Sequence, residues 1–497
     1  MTSIPDCDVL VVGAGNAAFA AALAAREHGA KVIMLECSPE AEAGGNSRFT
    51  AGAIRVVYDG VEDLKSFMPD LSEEELANTD FGSYTEDQFF DDMGRVTDYR
   101  TDPDLCELLV RNSRSTLLWM RAKGIRFTPI YGRQAFKVNG KFKFWGGLTV
   151  EAWGGGPGLI EAWTTAANSA GIEIRYDTRA LELLHEDGTV LGARVRNGGK
   201  TTTIIARSTV LASGGFEANG EWRSRYLGPG WDLAKVRGSR YNVGDGIRMA
   251  LDIGASAAGN WSGCHAVGWD RNAPEFGDLA VGDAFQKHSY PFGIMINARG
   301  ERFVDEGADF RNYTYAKYGR VILEQPGNFA YQVFDAKVLR LLRDEYRIKQ
   351  VTKAVSDTLE GLLQQLDGVD AGRALTHIRA YNAAVQTGTP FNPNVKDGRG
   401  TNGLTVLKSN WANTIDTPPF HAYGVTCGVT FTFGGLRIDT GARVLNTDYR
   451  PIPGLYAAGE LVGGLFYFNY PGGTGLMSGS VFGKIAGEHA ARESQET

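Results

Sequence analysis

The chain has 497 residues, a net charge of −7 and no block of Lys or Arg, which argues against a nucleic-acid backbone as its partner. Hydrophobic residues make up 43% and charged residues 22%, the balance of a globular protein with room for two or three domains and a large core. No apolar run is long enough to cross a bilayer and the first strand starts too early for a signal peptide to precede it, so the expectation is a cytoplasmic protein without a membrane span.

The first stretch, Cys7 to Glu36, reads as strand, glycine turn, helix and strand. Val9 to Val12 is a short β-branched run, as a strand buried on both faces should be. In the turn, Gly13 permits the tight bend, Gly15 lets backbone approach a pyrophosphate, and Ala18 lets the helix pack on the strand. The helix predicted over Asn16 to His28, opening Asn16-Ala17-Ala18, points its positive end at that phosphate. Lys31 to Leu35 is the second strand, and Glu36 ends it where a carboxylate accepts hydrogen bonds from an adenosine ribose.

The polar loop Glu42 to Gly52, with Gly44-Gly45-Asn46-Ser47 and Ala51-Gly52, either runs along the same dinucleotide or is a surface turn. Residues 60 to 125 read as mostly helical and acidic, with helical spacing over Leu105 to Lys123 and Asp102 or Asp104 at its start. Gly154 to Gly158 reads as a breaker before a helix over Leu159 to Ala170. Short strands from Ile172 to Ile205, with turns at Asp187-Gly188 and Asn197-Gly198, suggest a meander. It ends in the buried strand Ser208 to Ser213 and the turn Gly214-Gly215. Gly244-Asp245-Gly246 opens another helix with an acid in its first turn. From Ser262 the strand–helix alternation stops, and strands return near residue 426 with Gly454 to Glu460 and a closing helix over Ser480 to Arg492. The expected organisation is therefore a dinucleotide-binding domain from residues 1–261 and 426–497, with 262–425 inserted into it.

The five cysteines (Cys7, Cys37, Cys106, Cys264, Cys427) show no metal-ligand spacing, so reduced thiols and no metal, haem or iron–sulfur cluster are expected.

Six ordered motifs, Val11-Val12-Gly13-Ala14-Gly15, Gly44-Gly45-Asn46-Ser47, Ala212-Ser213-Gly214-Gly215-Phe216, Gly244-Asp245-Gly246, Gly300 to Glu306 and Pro453 to Glu460, span nearly the whole chain. With them it resembles the fumarate reductase and succinate dehydrogenase flavoprotein family and its relatives the 3-ketosteroid dehydrogenases. Lys408 to Ala412 and Val425 to Gly435 look most like tricarballylate dehydrogenases. The resemblance implies an α/β fold: a discontinuous Rossmann-type FAD-binding domain of glutathione-reductase-like architecture with an inserted α+β capping domain, and substrate between the two. It also implies an FAD-dependent enzyme of the CH–CH class.

With FAD as the nucleotide, Glu460 is placed to hold ribityl hydroxyls, and Gly475-Leu476-Met477 opens a helix whose positive end faces the flavin. The covalently flavinylated branch has a histidine near the second glycine loop, whereas this chain reads Asn46-Ser47-Arg48-Phe49, so dissociable FAD is expected. Arg311 lies where fumarate reductases carry a catalytic arginine. It is either a proton carrier with Asp283 as relay partner, or a bidentate carboxylate clamp. His265 matches the family's substrate-binding histidine, and Lys287, His288 and Lys408 are further cations for a second or third carboxylate. Phe431 and Tyr470 stand where fumarate reductases carry a histidine and an arginine. Tyr470-Pro471-Gly472-Gly473 instead resembles the ketosteroid enzymes, whose tyrosine polarises a ketone.

The leading expectation is desaturation of a small polycarboxylate, tricarballylate to cis-aconitate being the pattern. The alternative is a Δ1-type desaturase or ene-reductase on a bulkier keto compound, with Trp261, Trp269, Phe285 and Tyr290 lining an apolar pocket. No second nucleotide unit is evident for NAD(P)H. Electrons are therefore expected to pass to a partner protein, a quinone pathway or oxygen.

Overall fold

The computed structural model describes residues 4–144, 147 and 149–496. Its larger sheet is built around the first strand, Cys7–Val12, which is parallel to Lys200–Leu211 on one side and to Val32–Leu35 on the other. Glu173–Arg175 extends the parallel part beyond Val32–Leu35. The antiparallel meander Thr178–Glu186, Thr189–Asn197 and Lys200–Leu211 continues the other edge. Pro451–Ala457, from the far end of the chain, pairs in parallel with Lys200–Leu211. Both ends of the sequence thus contribute strands to one sheet, whose central strands are apolar because helices cover them.

Two helices cross next to the first strand. Asn16–Glu27 is rich in alanine, and the closing helix Thr474–Glu496 presents Gly479, Gly483 and Gly487 to it at intervals of four. A Cβ at Gly483 would lie 2.4 Å from the Ala17 carbonyl oxygen, and one at Gly487 would lie 2.0 Å from that of Ala21. Backbone therefore packs on backbone, and only glycine permits the approach.

The second sheet joins Lys235–Val236, Ala257–Asp270, Ile294–Asn297, Ala330–Phe334 and Lys353–Ser356 around the 17-residue strand Phe420–Leu436. The expected boundaries at 261/262 and 425/426 fall inside Ala257–Asp270 and Phe420–Leu436, two long strands paired with each other. They pass between the two parts of the molecule as continuous strands, which a change of sequence texture does not reveal.

Two helices begin earlier than expected. The run Gly155-Gly156-Pro157-Gly158 forms the first turn of Gly155–Ser169 instead of preceding it, and a Cβ at Gly156 would meet the carbonyl oxygens of Ser47 and Thr50 at 2.3 and 2.7 Å. The closing helix starts at Thr474, ahead of Ser480 and at the place where Gly475-Leu476-Met477 suggests a helix opening. Asp102 caps Pro103–Ala122 by accepting from the backbone N–H of Asp104 and Leu105, both at 3.1 Å.

Candidate active site

One cavity, with about 1600 Å³ of non-protein space including its mouth, is lined from both sheets. Its lining includes Gly13, Gly15, Asn16, Ala17, Glu36, Gly45, Asn46, Ser47, Ala51, Gly214, Asp245, Glu460, Gly475 and Leu476. Ala18, Gly44, Gly52 and Met477 are not among the lining residues. Ala18 and Met477 are fully buried, while a Cβ on Gly44 or Gly52 would strike Ile160 or the Gly155 backbone. These four pack against the walls of the cavity rather than forming its lining.

Side chains along the nucleotide end hold one another. Asn16 donates through Nδ2 to the Leu476 carbonyl at 2.8 Å and to Ser480 Oγ at 3.0 Å, and its Oδ1 accepts from Trp163 Nε1. Its side chain locks the two crossing helices together, while its backbone N–H donates to Ser47 Oγ at 3.1 Å. Asn46 Nδ2 donates to Glu217 and to the Thr430 carbonyl at 2.5 and 2.6 Å, and Asn46 Oδ1 accepts from Ser239 N–H at 2.8 Å. The second glycine loop is thereby tied to the second sheet. Glu36 Oε1 accepts from Ser38 N–H at 2.8 Å, and Asp245 pairs with Arg179 at 2.6 Å. Glu460 accepts from Thr432 N–H at 2.7 Å. Burial, then the charge of Glu217, hold its carboxyl well above the usual range, so Glu217 and Glu460 share a proton.

The other end collects cations and phenols. Arg311 is buried; its Nη2 donates to the Arg133 carbonyl at 2.7 Å and its Nη1 lies 3.3 Å from His288 Nδ1. Arg133 Nη1 reaches Asp283 Oδ2 at 2.6 Å, and Arg237 grips Asp283 Oδ1 through Nε and Nη2 at 2.8 and 2.5 Å. Gln286 Nε2 donates to Asp283 Oδ2 at 2.6 Å. Asp283 thus accepts four N–H bonds, three of them from Arg133 and Arg237, and works as an anchor for these arginines; this corrects its expected place as relay partner of Arg311.

His265 packs its ring 4.7 Å from Tyr470 and 5.0 Å from Tyr315. Burial, helped by Arg237, pushes its pKa well below the usual histidine value, so the ring is neutral. Its buried Nε2 faces no hydrogen-bond partner among the described residues. Tyr315 Oη donates to Tyr470 Oη at 3.1 Å, which leaves the Tyr470 proton for an acceptor in the cavity. Burial raises the Tyr470 phenol well above its usual pKa, so it stays a donor.

Three expected substrate cations are corrected. Lys287 is fully buried, 3.6 Å from Asp270, and donates to the carbonyls of Ala284, Phe285 and Gln286. Lys408 Nζ donates to the carbonyls of Pro291 and Gly293 at 2.7 and 2.5 Å. Each ammonium is consumed by backbone in the interior, and neither lines the main cavity. His288 lines a smaller aromatic pocket behind Arg311 and faces the arginine rather than the main cavity. Trp269, Phe285 and Tyr290 are core residues, and Trp261 stacks on Phe216. Sequence reasoning missed Arg133, Arg237, Tyr315 and Gln286, which come from segments without a recognisable motif.

Burial holds His288 neutral as well, followed by the nearby guanidiniums of Arg311, Arg237, Arg343 and Arg133. Its unfolded value is 6.5, so below that pH the unfolded chain takes up a proton the folded one refuses. Stability contributed by the neutral ring is present above pH 6.5 and is lost on acidification by up to roughly 1.4 kcal/mol per pH unit. The buried Glu217–Glu460 pair, with raised pKa, acts in the opposite sense. The expected result is that His288→Gln flattens the acid side of the melting profile relative to wild type. Parallel profiles between pH 5 and 7 would contradict the assignment.

Residues 8–476 match the model of the FAD-binding domain family. The chain belongs to this FAD-binding family. Among its relatives is a fumarate reductase (cytochrome) of Shewanella frigidimarina, 30% identical over 98% of this chain and 78% of that protein. The open conformation of a flavocytochrome c3 fumarate reductase superposes with a TM-score of 0.73 at 27% identity, over 99% of this chain and 79% of the other. The 3-ketosteroid Δ1-dehydrogenase of Sterolibacterium denitrificans shares the fold, with a TM-score of 0.74 at 23% identity over 98% and 99% of the two chains. As a member of the FAD-binding family, this protein is an FAD-dependent oxidoreductase of the CH–CH class. The cavity suits that cofactor: Gly13 and Gly15 leave backbone at the start of the first helix, and Ser213 Oγ, beside the bed, is buried without a hydrogen-bond partner among the described residues. No described helix of this FAD-binding protein is long and apolar enough to cross a membrane, and the described residues hold no group of metal-ligating side chains.

Proposed function

We propose that the protein adds or removes two hydrogens across a carbon–carbon bond next to a carboxylate, and that its substrate is a small polycarboxylate of which tricarballylate, giving cis-aconitate, is the pattern. The observation that carries this reading is the meeting of Arg133, Arg237 and Arg311 with neutral His265 and Tyr470 on one cavity. When bound, FAD supplies the two-electron acceptor or donor. Arg311 Nη1, held by His288 Nδ1, and Nη2, held by the Arg133 carbonyl, fix a guanidinium at the cavity wall. Burial and then repulsion from Arg133 lower its pKa, which eases proton transfer at that group. Tyr470, with its proton free of Tyr315, donates to a carbonyl or carboxylate oxygen and withdraws charge from the α-carbon.

The tyrosine pair also supports a second reading, desaturation or reduction beside a ketone in a bulkier substrate. An anaerobic screen separates the two: loss of the oxidised flavin's yellow absorbance on adding tricarballylate, or its recovery in reduced protein on adding cis-aconitate, is expected. Response to 3-keto steroids alone would overturn the polycarboxylate reading.

The cofactor is proposed to be dissociable, because Asn46, Ser47 and Arg48 offer no histidine at the loop where a covalent link forms in related enzymes. Acid precipitation is expected to leave the yellow colour in the supernatant; a yellow pellet would contradict this. The proposed electron exchange partner is a second protein or a quinone pathway, and the proposed location is the cytoplasm.

A further inference from the structure

The arginine that fumarate reductases place before the closing glycines is replaced here by Tyr470, and the histidine of the long strand by Phe431. A substrate with more than one carboxylate needs cations from elsewhere, since each buried carboxylate without a partner is costly. Arg133 and Arg237 stand on the same cavity as Arg311, one on either oxygen of Asp283. Two guanidiniums around one carboxylate keep a net positive charge. Glu345, 3.8 Å from Arg133, is the other nearby acid, and Arg343 adds a further guanidinium on the side of Arg311 away from the main cavity. Glu151 also feels Arg133, but burial pushes its carboxyl up to about 7. Around Asp283, the guanidiniums of Arg133, Arg237, Arg311 and Arg343 therefore outnumber the carboxylates of Asp283 and Glu345. The Arg133 side chain keeps 24% of its surface accessible while the Asp283 side chain keeps 5%. Beside Arg133, Gln134 lines the cavity, and its buried Oε1 has no hydrogen-bond partner among the described residues.

We propose that Arg133 and Arg237, cross-linked by Asp283, form an anion anchor that receives a substrate carboxylate remote from the reacting bond, so that the enzyme selects di- and tricarboxylates over monocarboxylates. This rests on the carboxylate reading of the site given above. Asp283 fixes the two forks relative to one another. Arg133, the more accessible, offers its remaining N–H groups to the ligand.

The test uses FAD-loaded wild type, Arg133→Met and Arg133→Lys, with tricarballylate, succinate and butyrate as probes, read by calorimetric binding and by steady-state kinetics. Arg133→Met is expected to weaken tricarballylate and succinate by about 10- to 100-fold, to leave butyrate within about two-fold, and to raise KM far more than it lowers kcat. Arg133→Lys is expected to recover part of the affinity, and it carries the test alone if the methionine variant does not fold, since a point charge cannot replace the fork. Unchanged tricarballylate binding, or an equal loss for butyrate, would overturn the anchor while leaving the carboxylate reading in place. If wild type neither binds nor turns over any of the three, both fail.

Discussion

Arg311→Lys is expected to lower kcat by about 10²- to 10⁴-fold while FAD content and melting temperature stay close to wild type. Lysine keeps the charge but is a single point donor. It cannot meet His288 Nδ1 and the Arg133 carbonyl together, which Arg311 does through Nη1 and Nη2 at 3.3 and 2.7 Å. Steady-state rates with tricarballylate, set beside the flavin absorbance of the same sample, check this. Retained turnover with intact flavin would remove Arg311 from the chemistry and favour the ketone reading, in which Tyr470 bears the main load.

Gly487→Val is expected to have the largest effect on the fold. A Cβ there would stand 2.0 Å from the Ala21 carbonyl oxygen, and both helices are fixed on the sheet, so neither can give way locally. The cost is about 3 kcal/mol, the upper end of what overpacking a close contact costs, read as a lower melting temperature. Because the same helix pair bears Asn16, Gly475 and Leu476 on the cavity, loss of FAD should accompany it. A variant that melts like wild type and holds full FAD would mean that the crossing of the two helices is looser than described.

The nucleotide half of the site was legible from the sequence because its constraints are local. Gly13, Gly15 and Glu36 sit in one strand–turn–helix–strand unit whose spacing alone reports the phosphate turn and the acidic end. Even there, Ala18, Gly44, Gly52 and Met477 line packing surfaces rather than the cavity, since small residues serve close packing and ligand approach alike. The substrate half was less legible. Arg133, Arg237 and Arg311 come from three separate segments, Arg133 and Arg311 being 178 residues apart, and are joined through Asp283 and the Arg133 carbonyl; nothing in the spacing announces that they meet. Lys287 and Lys408 failed for the converse reason: a charge in a loop looks available until three-dimensional packing gives it backbone carbonyls. The run Gly155-Gly156-Pro157-Gly158 reads as a break because local propensity favours that reading, whereas in the fold it is the first turn of a helix.

The central claim is that the two chain ends hold FAD against a wall of arginines that grip a carboxylate-bearing substrate. The most direct measurement is a crystal structure of the FAD-loaded protein with tricarballylate. The expected result has the flavin ring between the start of the closing helix and Tyr470, one carboxylate at Arg311 and another at the Arg133–Arg237 pair. Tricarballylate bound away from all three arginines, or a flavin ring lying outside the cavity they share, would contradict the account.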